Sequence, residues 1–270
     1  MKNAPHPNVS GKRTEITMRE QLYTIPLNDA VNAGDECPLC FCERSIEQDL
    51  LDFVLGSGSS YMEADIREMT DKAGFCRDHF QKMFTYGNTL GNAWILKTHY
   101  LRMIDEMKKE FKHFKPGKTS FKDKFRKTAE SGNAIGMWVK EKDKSCYICQ
   151  HFNETYARYI DTFFYLWTED DDFRIRVKNG KGFCLHHFGE LCNTVDGRLS
   201  DREREDFYES MFPLMERNMQ RLAEDVAWMV EKFDYRNKDA DWKNSKDAIQ
   251  RGMQKLKGGY PADPAYKMNK

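Results

Sequence analysis

The chain has 270 residues, enough to bury one large core or two small ones. Charged residues make up 32% and aromatic residues 13%, with 8 prolines and 17 glycines, a mixture of a folded helical protein rather than a disordered one. Lys+Arg and Asp+Glu both total 43, so the molecule as a whole carries no field that would hold nucleic acid or anionic lipid.

The first twenty residues lack the apolar run of a signal peptide, and segment 1–19 is expected to be a flexible N-terminus. Ala93–Leu96 and Phe163–Trp167, the longest apolar stretches, are too short to cross a bilayer. A cytoplasmic protein with reduced cysteines is therefore expected, in which clustered thiols point to metal or redox chemistry rather than disulfides.

The first cluster is Cys37-Pro-Leu-Cys40-Phe-Cys42. Ile46, Leu50, Phe53 and Val54 follow at three- and four-residue steps and predict a helix with one buried face. Ser60 with Glu63 predicts a capping box, opening a short helix that ends near Gly74. Gly74-Phe75-Cys76-Arg77-Asp78-His79-Phe80 comes next, and Leu90, Trp94, Leu101, Ile104, Met107 and Phe111 then trace a long amphipathic helix.

Between Lys108 and Lys127 basic residues interleave with Phe111, Phe114, Phe121 and Phe125, and Pro116-Gly117 breaks the segment. It predicts an inter-copy linker with a solvated charged face, and no nucleic-acid partner is expected. The motifs then recur. Cys146-Tyr-Ile-Cys149-Gln-His151 precedes a helix carrying Phe152, Tyr156, Tyr159, Ile160, Phe163 and Phe164, and Gly182-Phe183-Cys184-Leu185-His186-His187-Phe188 follows. The offset between copies is 109 residues at the first pair and 108 at the second, and order, spacing and flanking residues are preserved together, so internal duplication is the economical reading. Ser200 with Glu203 predicts a second capping box, opening a helix that buries Phe207, Met211, Leu214, Met215, Met219, Leu222, Val226, Met229 and Phe233, with a kink at Pro213.

These elements predict an all-α fold of two duplicated, pseudo-twofold-related helical units. The first repeat is placed at 20–112, a basic linker at 113–136, the second repeat at 137–235, and a C-terminal helix with a mobile tail at 236–270.

A C-x2-C turn aims two sulfurs at one ion, and Cys and His three apart share one helix face. Within each copy this predicts a Cys3His centre stapling the unit: Cys37, Cys40, Cys76 and His79 in the first, and Cys146, Cys149, Cys184 and His187 in the second. Three thiolates and an imidazole suit Zn(II), two per chain, with an iron–sulfur cluster as the alternative. Cys42 and His151 occupy equivalent positions and are surplus ligands, beside the metal or exchanging onto it; Asp78 and His186 are likewise equivalent. A complete protein quartet closes the coordination sphere, and no nucleophile–base pair or phosphate loop is visible, so an adaptor or binding module with an unidentified protein partner is expected rather than an enzyme. A metal- or redox-responsive protein is the alternative.

The segments LYTIPLNDA, CPLC, SYMEADIR, GFCRDHF and FDYRNKDADWKNSKDAI resemble a bacterial family of uncharacterised proteins with paired CPxC and GFCxxHF motifs, over about Leu22 to Lys257. The resemblance implies a motif set and a bacterial setting without an activity. Relatives often carry a transporter substrate-binding label, which finds no lipobox cysteine or two-lobed α/β pattern here. Tyr147 stands where the first copy has Pro38, which leaves the ligand count intact.

Overall fold

The computed structural model describes residues 23–58, 60–115 and 133–259. Among the described residues there are eleven α-helices and no strand, the all-α class expected. In chain order they are α1 (23–32), α2 (Pro38–Leu55), α3 (Ala64–Ala73), α4 (Arg77–Tyr86), α5 (Thr89–His113) and α6 (Ala134–Lys144). α7 (Tyr147–Glu169), α8 (Asp171–Lys178), α9 (Leu185–Thr194), α10 (Asp201–Glu231) and α11 (Ala248–Lys257) complete the chain. Segment 1–19, most of the basic linker and the tail beyond 259 lie outside the described residues.

The contacts divide the chain at Ile46/Glu47 and at Asn153/Glu154. One unit combines 23–46 with 154–259, and the other takes the described residues of 47–153. These divisions fall inside α2 and α7 and differ from the sequence repeats at 20–112 and 137–235.

In the first unit the core is aromatic. Phe163 meets the rings of Phe164, Trp167, Phe173 and Phe183 at centroid distances of 5.4, 6.3, 5.8 and 5.7 Å, and Phe207 of α10 closes on Trp167 at 5.2 Å. Helix α10 starts as expected: the Ser200 N–H and hydroxyl both donate to Glu203 Oε2, at 2.8 and 2.6 Å. It continues through Pro213 as one helix of 31 residues and buries Phe207, Met211, Leu214, Met215 and Leu222. Val226, near its end, and Phe233, just beyond it, both expected in that core, are exposed.

Beyond α10 the chain turns around one cation. The buried Lys232 Nζ donates to the carbonyls of Asn237, Lys238 and Ala240 at 2.7, 3.0 and 2.6 Å, satisfying oxygens the turn would otherwise strand. Trp228 Nε1 donates to the Asp241 carbonyl at 2.9 Å, and this loop returns α11 against α10.

The second unit centres on Leu51, Val54, Leu55, Tyr61, Phe75, Met83, Tyr86 and Ile95, joined by Cys146, Tyr147 and Ile148 from the start of α7. Two local expectations fail here. Ser60–Met62 is a 3₁₀ turn and Glu63 is itself the N-cap of α3 without a side-chain cap bond, so the first capping box does not form. Leu101, Ile104 and Phe111 of α5 are exposed, because α5 buries chiefly its first turns, through Gly91 and Ile95; Leu90, on the outer side of the first turn, and Phe53 of α2 are exposed as well.

Candidate metal centres

All eight predicted ligands converge into two quartets, but not the quartets predicted. Cys37, Cys40, Cys184 and His187 form one group, and Cys76, His79, Cys146 and Cys149 the other, with the candidate ligand atoms of each within 4.8 Å of one another. Each centre combines the C-x2-C of one copy with the C-x2-H of the other. The expectation that each repeat is stapled by its own Cys3His centre is therefore corrected.

The helices between the two motifs of a copy are unequal: at about 1.5 Å per residue the 18 residues of α2 span roughly 27 Å and the ten of α3 about 15 Å. The second copy has the same disproportion, 23 residues in α7 against eight in α8.

The first centre lies wholly in the first unit. His187 Nδ1 is 3.2 Å from Cys37 Sγ, 3.4 Å from Cys40 Sγ and 3.2 Å from Cys184 Sγ, and Cys40 Sγ is 3.7 Å from Cys184 Sγ. All four residues are buried. Lys255 holds the two contributing loops together: its buried ammonium donates to the carbonyls of Glu36 and Lys181 at 2.6 and 2.7 Å. Gly258, at φ +92°, brings its backbone so close that a Cβ there would sit 3.6 Å from Cys40 Sγ and 3.7 Å from Cys184 Sγ.

The second centre lies wholly in the second unit. His79 Nδ1 is 3.2 Å from Cys76 Sγ, 3.2 Å from Cys146 Sγ and 3.3 Å from Cys149 Sγ, and Cys76 Sγ is 3.8 Å from Cys149 Sγ. The Ser145 hydroxyl donates to the Ala73 carbonyl at 2.6 Å and the Tyr147 N–H to the Gly74 carbonyl at 2.9 Å, which docks one motif on the other. Cys76 and Cys149 are only half-buried, so this centre has a rim the first lacks.

The glycine of each Gly-Phe-Cys motif has a backbone reason. Gly74 and Gly182 lie at φ +64° and +74°, where a side chain is strained. A Cβ at Gly74 would meet the His99 ring at 2.9 Å, and one at Gly182 would meet Met215 Sδ at 2.9 Å.

Behind each histidine stands a glutamate that spacing did not reveal. Glu47 Oε1 lies 2.9 Å from His79 Nε2 and also pairs with Lys82. Glu43 Oε2 lies 3.2 Å from His187 Nε2, off the hydrogen-bonding direction, so that buried nitrogen has no hydrogen-bond partner among the described residues. The counterpart of Glu47 in the second copy is Tyr156, whose hydroxyl donates to Glu190 at 2.7 Å while its ring centre lies 5.9 Å from that of His187.

The quartets are electrostatically frustrated as bare side chains. Burial opposes charge on His79, yet hydrogen bonds with Cys146 and Glu47 raise its pKa to about 10. Burial likewise opposes charge on His187, but Cys184 and Cys37 lift it to about 12. Cys146 falls to about 6, against its burial, through its bond with His79, while burial and the adjoining Cys146 push Cys149 up to about 12. In the first centre hydrogen bonds from Cys37 and Cys40 pull Cys184 far down, and Cys184 and Cys37 drive Cys40 far up. One thiolate per quartet is favoured by the imidazolium and the next is resisted, the condition a divalent cation relieves.

The surplus ligands stay outside both groups. Cys42 is buried, with its thiol pushed up by that burial and by Cys37. His151 packs its ring against Tyr147 at 4.4 Å. Asp78 is exposed; His186 is exposed with its ring 5.1 Å from that of His187. All eight cysteines are free thiols.

Fold and site together define an all-helical protein with two buried Cys3His groups able to hold metal ions. The chain belongs to a family of unknown function (DUF6062), whose model matches residues 18–263. No curated protein and no solved structure matches it. No helix among the described residues is long and apolar enough to cross a membrane.

Proposed function

We propose that the chain is a zinc protein with two structural Zn(II) ions, and that it acts as a metal-stabilised binding or adaptor module rather than as a metalloenzyme. The spacing of the ligand atoms carries this reading. With Zn–S about 2.3 Å and Zn–N about 2.0–2.1 Å, a regular tetrahedron has S···S edges of about 3.8 Å and S···N edges of about 3.5 Å. The Cys40–Cys184 and Cys76–Cys149 S···S distances are 3.7 and 3.8 Å, the remaining edges lie within 4.8 Å, and the S···N distances run from 3.2 to 3.4 Å. An iron–sulfur cluster spreads its thiolates over several irons with sulfide between them, and needs a wider cage than either quartet offers. Four protein ligands leave no position for a substrate, which favours a structural role. Eight free thiols fit the reducing cytoplasm.

Elemental analysis of protein prepared without chelator tests the proposal. Two equivalents of zinc with no visible absorption are expected. Less than one equivalent, or an iron–sulfur chromophore in anaerobically prepared protein, overturns it.

A further inference from the structure

The first unit contains a cleft of about 890 Å³ whose wall is unusually cationic. Seven Lys or Arg side chains line it against two carboxylates, Asp35 and Asp247. The balance within that wall is what matters, because the chain as a whole has zero net charge.

Two of the seven are neutralised in place. Arg221 donates to Glu36 at 2.5 Å, and Arg251 donates to Asp225 at 3.1 Å and to Asp247 at 2.9 Å. The others are not. Among the described residues Arg176 donates only to neutral acceptors, the side-chain oxygens of Asn28 and Asn32 and the Asp172 carbonyl. Lys181 donates to the Gly34 carbonyl at 2.5 Å and stands 3.9 Å from Glu36, a carboxylate already taken by Arg221. Lys243 holds its ammonium 4.1 Å above the Trp228 ring, from a backbone at φ +51° that a residue with a side chain seldom adopts. Arg217 and Lys246 are exposed and have no ion pair among the described residues. Of the two wall carboxylates, Asp247 is spent on Arg251, and Asp35 accepts from the Glu36 N–H and from Gln254.

Like charges crowded into one cleft repel one another unless something anionic occupies it. We propose that this cleft binds a small molecule carrying two or more phosphate-type charges. Guanidinium groups match phosphate oxygens with two parallel bonds, and mobile lysines at the rim add point charges. The volume lies in the range of small-molecule sites, about 300–1,000 Å³. A polynucleotide would need a basic track along the surface and a long-range field. Here the surplus charge faces a bounded cavity in a chain of zero net charge.

Calorimetric titration of the full chain with pyrophosphate and with adenosine triphosphate, at low salt, tests the proposal. Metal content is measured before and after, so that chelation is not mistaken for binding. Saturable one-to-one binding with no loss of metal is expected, weakened at least tenfold in Arg217→Ala/Lys246→Ala and unchanged in Lys140→Ala/Arg202→Ala. Both pairs replace exposed cations, so folding is retained, and the melting temperature verifies it. No binding of either probe, heat that tracks metal loss, or equal affinity in the two double variants overturns the proposal. So does a single-stranded oligonucleotide that binds more tightly than either probe with a salt slope of several counterions, which would assign the charge to nucleic acid.

Discussion

Crossed ligand pairing makes a prediction that within-repeat pairing reverses. Cys40→Ser combined with Cys184→Ser removes two ligands of the same quartet, whose sulfurs lie 3.7 Å apart. The second quartet keeps all four of its ligands, so the variant should retain about one equivalent of metal. Cys40→Ser combined with Cys76→Ser removes one ligand from each quartet, and metal should fall toward zero. The energetic contrast is large, because structural zinc sites bind with about 10–16 kcal/mol, of the order of a domain's whole net stability of about 5–15 kcal/mol. The same-quartet pair should therefore be strongly non-additive, the second substitution costing little once the first has emptied the site, whereas the cross-quartet pair should add. Elemental analysis after dialysis against metal-free buffer reads the equivalents. Cobalt(II) substitution reads the intact centre independently through its thiolate charge-transfer band. If the Cys40/Cys76 pair kept one ion and the Cys40/Cys184 pair lost both, the exchange of motifs between copies would be wrong.

The other expectations follow from particular contacts. Chelator should strip the second centre before the first, because Cys76 and Cys149 are half-buried while all four ligands of the first are buried; release at equal rates in a stopped-flow chelator assay would contradict this. Glu47→Gln should weaken metal binding at the second centre by about 10–100-fold, since the carboxylate beside His79 Nε2 orients the ring and raises its basicity, with the first centre untouched. Gly182→Ala should destabilise the protein by about 1–3 kcal/mol, from backbone strain and the clash with Met215, measured by denaturant unfolding. At the second centre His79 and Cys149 hold their protons up to about 10 and about 12, so below those values protons compete with the ion. Metal affinity there should accordingly rise with pH above neutrality and fall on acidification; a flat profile in a competition assay from pH 6 to 9 would refute this.

The identities of the eight ligands were legible in the sequence because C-x2-C and C-x2-H are local geometry, set by a turn and a helix face. Their partnership was not, because it is a tertiary contact between segments 144 to 150 residues apart in the first centre and 67 to 73 apart in the second, which motif spacing within a copy does not encode. The helical class was legible from periodicity, yet periodicity overstated burial. The apolar stripe of α5 is real, but Leu101, Ile104 and Phe111 continue past the end of the core they were expected to join. Glu43, Glu47 and Lys255 left no signal, since each works by reaching an atom remote in sequence.

The surplus ligands show the same distinction at the scale of a single turn. Cys42 follows Cys40 by two residues on α2, and His151 follows Cys149 by two on α7. Successive helical residues turn by about 100°, so a residue two further on points about 200° away, to the opposite side. Equivalence between the copies suggested a shared role in ligation, but the helix that presents Cys40 to one side must present Cys42 to the other. Cys42→Ala should therefore leave both metals bound and lose only the packing of a buried thiol, on the order of 1 kcal/mol. His151→Ala should likewise keep two equivalents, with the ring contact to Tyr147 among the interactions lost. A variant at either position that lost a full equivalent of metal would require the first turn of its helix to unwind. The N–H of Phe41 to the carbonyl of Cys37, at 3.3 Å, and that of Gln150 to the carbonyl of Cys146, at 3.0 Å, are the bonds that hold those turns closed. Loss of amide-exchange protection at Phe41 and Gln150 would accompany any such ligand exchange, and retained protection alongside metal loss would leave the helix geometry unable to account for it.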